Sequence, residues 1–362
     1  MRMKAWFLRG FNDLRLEEVD YPKPKNNEVI LKVKCVQLSV TEIQVIKGWN
    51  LSPRFANVSK EIASGKTPRL AHEFCGEIVE GDSDKKFVPG DIVCAKPVIQ
   101  CGACNECVNG KFKYCKNKLL FPGALAEFIA VDPRFLVKVP KTLTPSEVAA
   151  LQPLSSAINF AANARITPGD AVGILGCGVM GLNIMQSVRG VAGSIFAIDV
   201  DEKKLELASK LGANCCINPN KVDLVKEIWI LTDGLGLNVA FECAGGSPKV
   251  GLSGLTTLNQ AFEIVTQGGK VVQVAHIEGA VEITPRKLYS KGISYVFADS
   301  WGYASDHRSY FELAAELVNR KEIDLKSMIT HILTGIEKLP EAIEITTSKA
   351  KYGAINPAQV MF

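Results

Sequence analysis

One glycine-rich stretch, GCGVMG at residues 176–181, constrains the fold of this chain more than any other feature. It follows an apolar run at 170–175 with the composition of a buried strand, and it opens a helical segment near 179–189. Glycines in this pattern allow a tight turn, close approach of another molecule to the backbone, and packing of the helix on the strand. The N–H groups at the start of the helix can then face an anion such as a pyrophosphate. We therefore predict a dinucleotide-binding turn whose contacting residues are Gly176, Gly178, Val179, Met180 and Gly181.

An acidic residue ends the next apolar run. Asp199 lies near the end of the segment GSIFAIDV, at about the spacing where a carboxylate bonds the hydroxyls of an adenosine ribose. An enzyme that uses NADP needs a basic residue for the 2′-phosphate, whereas this sequence offers Asp199, Asp201 and Glu202 in close succession. The pattern favours NAD. The alternative is an ordinary strand–helix turn in which Asp199 caps the following helix.

The rest of the chain shows two different patterns of apolar and turn-forming residues. Up to about residue 150, short β-branched and aromatic runs alternate with Gly, Pro and Asp, which predicts a compact β-rich domain. Beyond that point, apolar strands alternate with helical segments, which predicts βαβ units and a doubly wound parallel sheet. A chain of 362 residues is also too long for one ordinary core. We therefore predict an α/β protein of two domains.

Charge and hydropathy exclude several classes of function. The formal net charge is +4 with no block of like charge, which argues against a nucleic-acid surface. No apolar run approaches the roughly 20 residues that cross a bilayer, and the first residues lack the apolar core of a signal peptide. We expect a cytoplasmic protein without a membrane partner, in which the 11 cysteines are thiols or metal ligands rather than disulfides.

Four cysteines are closely spaced in the segment QCGACNECVNGKFKYCKN. They are Cys101, Cys104, Cys107 and Cys115. Thiolates at this spacing can converge on one tetrahedral ion, and a shell of four cysteines leaves no open coordination position. The lysines beside them offset the negative charge of such a site. We predict structural zinc; an iron–sulfur cluster is the alternative, because four cysteines serve both.

Several motifs together resemble one enzyme family. They include HEFCGEIVEG at 72–81, VPGDIVCAKP at 88–97, the four-cysteine segment, ALAEFIAVDP at 124–133 and ITPGDAVGILGCGVMG at 166–181. As a set they resemble the medium-chain dehydrogenase/reductase superfamily, in its zinc-containing alcohol and polyol dehydrogenase branch. The resemblance implies a cleft where cofactor and small-molecule substrate meet, and a homodimer or homotetramer.

The resemblance also implies the domain limits. A GroES-like catalytic domain would comprise residues 1–155 and 296–362, with the four-cysteine zinc lobe at 100–116. A Rossmann NAD-binding domain would be inserted between its two parts, at 156–295.

The sequence departs from this family where the family binds catalytic zinc. The resemblance places the ligands at Ser39, where the family has cysteine, at His72, and at Gln152, where the family has cysteine or glutamate. Serine and glutamine are neutral, so catalytic zinc should bind weakly or not at all. Cys35 and Cys75 are poor replacements, and Glu73 is the more plausible anionic ligand.

Without that metal, other groups must handle the proton of the substrate. His72 is the leading general acid or base, because its pKa lies naturally near neutrality. Glu73 can orient His72 or carry the proton itself, and Thr41 matches the family's hydroxyl relay residue. The alternative for His72 is a structural histidine bonded to neighbouring backbone.

The preferred function is therefore an NAD-dependent oxidoreductase that transfers hydride between the nicotinamide and an alcohol or carbonyl substrate, without an orthodox catalytic zinc. Two alternatives stay open. One is an orthodox zinc-dependent alcohol or polyol dehydrogenase, and the other is a non-catalytic NAD-binding member of the family. The identity of the substrate does not follow from the sequence; the polar connection at 49–70 is a candidate lid over the substrate.

Overall fold

The structure is a computed structural model. It describes residues 1–25, 27–49, 58–64, 70–81, 84, 86–245, 254–277, 282–297 and 309–362. Contacts divide the chain into two compact units, Met1–Gln152 with Phe311–Phe362, and Pro153–Tyr310. Among the helices of the described residues, none combines the length and the apolar composition that crossing a bilayer requires.

Strands and helices are numbered in chain order. The strands are β1 (Arg2–Gly10), β2 (Asp13–Asp20), β3 (Val29–Gln37), β4 (Glu73–Glu80), β5 (Ile92–Ala95), β6 (Val98–Ile99), β7 (Leu119–Leu120), β8 (Phe128–Val131), β9 (Leu136–Lys138), β10 (Ala171–Leu175), β11 (Ser194–Ile198), β12 (Cys215–Ile217), β13 (Leu237–Glu242), β14 (Val265–Gln273), β15 (Ser294–Phe297), β16 (Ile332–Thr334) and β17 (Gln359–Met361). The helices are α1 (Val40–Ile46), α2 (Val58–Ala63), α3 (Asn105–Val108), α4 (Pro145–Ala149), α5 (Leu151–Ala164), α6 (Val179–Val188), α7 (Glu202–Lys210), α8 (Leu224–Leu231), α9 (Gly254–Ile264), α10 (Pro285–Lys291), α11 (Tyr310–Asn319), α12 (Leu339–Thr347) and α13 (Lys349–Tyr352).

The first unit is built around β3. In the described residues its main sheet has the order β16-β17-β3-β4-β5-β9, and β8 also pairs with β3. The side chains of Val33, Val36 and Phe74 are buried in one apolar core with residues from both ends of the chain. Antiparallel register sets Gln37 opposite Glu73 on β4 and opposite Gln359 on β17. A row of polar residues therefore crosses the sheet where β3 ends.

The second unit is a parallel sheet, as predicted. Among the described residues its strand order is β12-β11-β10-β13-β14-β15, and every pairing is parallel. The chain runs outward from β10 in one direction and then restarts at β13 in the other, so the strand order reverses between β10 and β13. Ligands of doubly wound sheets bind at such a reversal, beyond the carboxyl ends of the strands.

The predicted limits of the inserted domain stay a prediction. The contact division falls before the expected boundary at 155/156 and after the one at 295/296. At the second limit β15 continues to Phe297, because it pairs with β14 along its whole length.

Candidate functional site

The carboxylate of Glu42 is the centre of the polar site in the first unit. Glu42 is the third residue of α1, and Ser39 caps the helix. The Ser39 hydroxyl accepts from the Glu42 N–H at 3.2 Å and donates to Glu42 Oε2 at 3.1 Å. The Ser39 N–H donates to the same oxygen at 3.0 Å. This reciprocal capping box fixes the start of the helix and the direction of the carboxylate.

His72 bonds the other oxygen of that carboxylate. Its Nδ1 atom lies 2.6 Å from Glu42 Oε1, and its backbone N–H donates to Oε1 at 3.3 Å. Burial raises the pKa of Glu42, but the charge of His72 and the hydrogen bonds from His72 and Ser39 outweigh it and lower the pKa overall. Glu42 is therefore an anion that orients the imidazole. With Nδ1 as the donor to Glu42, Nε2 is the ring nitrogen that can exchange a proton with another molecule.

Glu73 belongs to a separate chain of buried hydrogen bonds. Gln37 Nε2 donates to Glu73 Oε2 at 2.5 Å, and Gln359 Nε2 donates to Gln37 Oε1 at 3.0 Å. The Cys35 thiol lies 3.6 Å from Gln359 Oε1. Burial raises the pKa of Glu73 to about 7; the nearby Glu42 adds to the rise, while His72, Gln37 and Lys349 oppose it. Glu73 is thus a buried carboxyl whose charge changes near neutral pH.

The four cysteines of the lobe converge. Their sulfur atoms all lie within 4.8 Å of one another. Cys101 and Cys115 are 3.6 Å apart at sulfur, close to the roughly 3.8 Å that tetrahedral zinc with bonds of about 2.3 Å requires. Backbone N–H groups of Cys101 and Cys104 donate to two of the sulfurs, both at 3.4 Å. The donor set therefore fits a structural zinc ion.

The glycine-rich turn has the geometry expected of a phosphate cradle. Gly176 has φ of +100°, and Gly178 precedes the first residue of α6. A Cβ atom on Gly181 would collide with the carbonyl oxygen of Gly176, so the first turn of α6 lies directly against the end of β10. Val179 and Met180 form the first turn of that helix, where N–H groups have no partner within the helix.

Asp199 is tied to this turn. Its Oδ2 accepts from the Cys177 N–H at 2.7 Å, and its Oδ1 accepts from the Asp201 N–H at 2.9 Å. Asp201, not Asp199, caps α7. Lys204 Nζ lies 3.7 Å from Asp199 Oδ1, a basic neighbour that the sequence reasoning did not identify.

Two family descriptions match this chain. Residues 25–141 match the alcohol dehydrogenase GroES-like domain, and residues 176–320 match the zinc-binding dehydrogenase family. L-threonine 3-dehydrogenase of Pyrococcus horikoshii is 30% identical over 340 residues, which cover 91% of each chain. L-idonate 5-dehydrogenase of Vitis vinifera is also 30% identical, over 99% of this chain and 94% of its own. The chain belongs to the zinc-type alcohol dehydrogenase family.

Solved structures agree with this assignment. A zinc-binding dehydrogenase from Sinorhizobium meliloti 1021, determined with NADP bound, has a TM-score of 0.82 and 26% identity, over 100% of both chains. The predicted fold, a GroES-like domain with a Rossmann-type parallel sheet, is confirmed. As a zinc-type alcohol dehydrogenase, the protein is an oxidoreductase that acts on CH–OH groups of small molecules with a nicotinamide cofactor.

Two of the three positions predicted from the family resemblance to hold catalytic zinc carry neutral side chains in this zinc-type dehydrogenase. Ser39 uses its hydroxyl to cap α1 and to bond Glu42, and Gln152, the second residue of α5, is a neutral amide. Thr41, the expected relay residue, is half-buried in the first turn of α1. In the part of the chain that the structure describes, the four cysteines are the one group of three or more His, Cys, Asp or Glu side chains able to hold a metal.

Neither nearby cysteine replaces the missing thiolate. Cys35 on β3 and Cys75 on β4 are direct neighbours across the sheet, and both are fully buried. Burial raises the pKa of the Cys75 thiol to about 12 and raises that of Cys35 further. Both thiols lie inside the sheet, and the Cys35 thiol is in contact with Gln359 rather than with Ser39 or His72.

Sequence reasoning missed three residues of this site. Glu42 has a local signal, since Ser39 and Glu42 have the S-x-x-E spacing of a capping box. Gln37 and Gln359 have none, because their contact depends on the register of strands far apart in the sequence. Most of the polar connection at 49–70, the candidate lid, lies outside the described residues.

Proposed function

We propose that this chain is an NAD-dependent dehydrogenase of small alcohols that moves the alcohol proton through the Glu42–His72 pair, without a catalytic zinc ion. The observation that carries the proposal is the 2.6 Å contact between Glu42 Oε1 and His72 Nδ1. A buried carboxylate in this position holds the imidazole in one tautomer and stabilises the imidazolium that forms when Nε2 takes a proton. The pair can thus act as a general base during alcohol oxidation and as a general acid in the reverse direction.

A bound nicotinamide supplies the hydride chemistry itself. The protein contributes the orientation of the substrate and the transfer of its proton. His72 Nε2 is the acceptor of that proton, and the Thr41 hydroxyl is the proposed group that bonds the substrate oxygen and relays the proton. Glu73 is the secondary candidate, because its buried carboxyl can take up or release a proton near neutral pH.

For the cofactor we propose NAD. Asp199 is held at the end of β11 by two backbone N–H groups, in the position where a carboxylate bonds ribose hydroxyls. A 2′-phosphate would meet this carboxylate and be repelled. Gly176, Gly178, Val179, Met180 and Gly181 are the proposed contacts to the pyrophosphate.

Four further assignments complete the proposal. The four-cysteine lobe holds one structural zinc through Cys101, Cys104, Cys107 and Cys115, which cross-links a segment with little regular structure. The substrate is a small polyol or amino alcohol, by analogy with the named activities of the relatives. A cytoplasmic location and a homodimer or homotetramer stay predictions.

The test is a metal count paired with cofactor binding. Protein purified without added zinc is analysed for metal per chain by mass spectrometry, and titrated with NAD and with NADP in a calorimeter. We expect about one zinc per chain and tighter binding of NAD. Two tightly held zinc ions per chain would instead restore a zinc mechanism with His72 as a ligand.

A pair of matched variants tests the proton transfer. Oxidation of polyols and of L-threonine is assayed for His72→Gln and for His331→Gln, a histidine on the segment before β16 of the same unit. We expect the rate constant kcat to fall by about 100-fold or more in the first variant only, since a positioned acid or base contributes that much. Equal activity of the two variants would exclude His72 from the reaction.

A further inference from the structure

Glu242 is a buried carboxylate that the proposed reaction does not use. It is the last residue of β13, and none of its surface is exposed. Its Oε1 accepts from the Gly245 N–H at 3.0 Å and from the Thr257 hydroxyl at 2.8 Å. Its Oε2 accepts from Gln273 Nε2 at 2.7 Å. Three donors from three different segments therefore converge on one carboxylate.

These bonds fix the short segment that follows β13. The Gly245 N–H ties the end of residues 243–245 back to Glu242, while Thr257 ties the same carboxylate to α9. Gln273 ties it to the neighbouring strand β14 and also donates to the Ala275 carbonyl at 2.6 Å. Tyr295 on β15 extends the network, since its hydroxyl lies 3.0 Å from Gln273 Oε1. The network thus joins three adjacent strands and one helix.

The segment 243–245 lies directly against the glycine-rich turn. A Cβ atom on Gly176 would come within 2.6 Å of the Ala244 nitrogen and 2.9 Å of the Cys243 carbonyl carbon. On its other side, a Cβ atom on Gly245 would come within 2.9 Å of both the Ala275 Cβ and the His276 oxygen. A shift of this segment by an ångström would therefore move either the turn or the residues that follow β14.

Residues 243–245 directly follow β13, one of the two strands between which the strand order of the sheet reverses. Strand order reverses between β10 and β13, and the dinucleotide of such a fold lies beyond the carboxyl ends of those two strands. The turn at 176–181 follows one of those strands and residues 243–245 follow the other, so both segments lie where a dinucleotide binds in such a fold.

We infer that Glu242 is a positioning residue for the dinucleotide: through Gly245, Thr257 and Gln273 it holds residues 243–245 in place at the cofactor site. This inference rests on the proposed function, namely that a dinucleotide binds at residues 176–181. Glu242 acts through the backbone segment that it holds and does not itself touch the cofactor. Losing one of its three donors loosens that segment and weakens cofactor binding.

The test removes one donor without changing the volume of the side chain. Thr257→Val deletes the hydroxyl that bonds Glu242, Thr257→Ser restores a hydroxyl, and Thr256→Val is the matched control at an exposed position of the same helix. The affinity for NAD is measured by calorimetry, together with kcat, the KM for NAD and the melting temperature. Glu242→Gln is a second route, since it keeps the shape and removes the charge.

For Thr257→Val we expect the dissociation constant and the KM for NAD to rise about tenfold, with kcat at saturating NAD unchanged, because a lost hydrogen bond to a charged group is worth at least that much. Thr257→Ser and Thr256→Val should stay within about twofold of the wild type. A role in folding alone would lower the melting temperature of Thr257→Val and leave its NAD affinity unchanged.

The outcomes separate this inference from the function on which it rests. A wild-type chain that binds neither NAD nor NADP refutes both. If the wild type binds NAD and Thr257→Val binds it equally well, only the role of Glu242 is refuted, whether or not Glu242→Gln folds.

Discussion

Replacing Glu42 with glutamine tests the central contact of the site. The carboxylate accepts four hydrogen bonds, two from Ser39 at 3.0 and 3.1 Å and two from His72 at 2.6 and 3.3 Å. Glutamine has only one acceptor oxygen, so its NH₂ group must face one of the two pairs. Whichever way the amide turns, one backbone N–H, of Ser39 or of His72, loses its acceptor in a partly buried place.

The magnitude follows from these contacts. A donor that loses its partner in such a place costs about 1–3 kcal/mol, whether it is the His72 N–H or the Ser39 N–H of the capping box. We expect Glu42→Gln to lower the free energy of unfolding by roughly 1–3 kcal/mol at pH 7. For a unit of this size that lowers the melting temperature by about 2–12 °C. The control Glu77→Gln, half-exposed on β4, should change it by less than about 1 kcal/mol.

The pH dependence has a defined sign. The folded pKa of Glu42 lies below the ordinary glutamate value of 4.5, so its charged form stabilises the fold above that pH. This stability is lost as pH falls below about 4.5 and through the folded pKa. Scanning calorimetry at pH 7 and pH 3.5 should therefore show a smaller difference between wild type and Glu42→Gln at the lower pH. A difference that is absent at pH 7, or that grows on acidification, would refute the reasoning.

Three other changes test separate parts of the molecule. Gly181→Ala places a methyl group against the Gly176 carbonyl and should weaken NAD binding in calorimetry by more than about tenfold, since overpacking by one methyl costs about 1–3 kcal/mol. Cys107→Ser should reduce bound zinc from about one per chain to near zero by elemental analysis and lower the melting temperature, because structural zinc contributes directly to folding. Burial raises the pKa of Glu73 to about 7, so this residue costs stability as pH rises from about 4.5 to beyond 7. Glu73→Gln should therefore melt above the wild type at pH 8 and close to it at pH 4.5; the opposite order would contradict a raised pKa.

The parts of the fold that could be predicted from the sequence are those encoded locally. The turn at 176–181, Asp199 and the four cysteines each lie within a few residues of their partners or at a fixed spacing, so the pattern itself carries the geometry. Lys204 was missed because a helix brings it back towards Asp199. Gln37 and Gln359 were missed because their hydrogen bond requires β3 and β17 to pair in one particular register.

Ser39 has a structural role that a comparison of its residue type with the family's cysteine does not reveal. The family resemblance places a zinc-binding cysteine where this chain has Ser39. On that basis alone, replacing Ser39 with cysteine would be expected to restore the catalytic zinc site. In the structure its hydroxyl is half of the capping box that holds Glu42, and Glu42 holds His72. Ser39→Cys therefore removes a good N-cap, at a cost of about 1 kcal/mol, and still leaves the neutral Gln152.

We expect Ser39→Cys alone to bind no second zinc ion. The double variant Ser39→Cys with Gln152→Glu supplies anionic ligands at both positions where the family has them and should bind one more zinc per chain by elemental analysis. A second zinc ion in the single variant would show that the capping role of Ser39 does not keep this position from becoming a metal ligand. The difference in zinc content between the two variants shows whether Gln152, as well as Ser39, keeps a second zinc ion from binding.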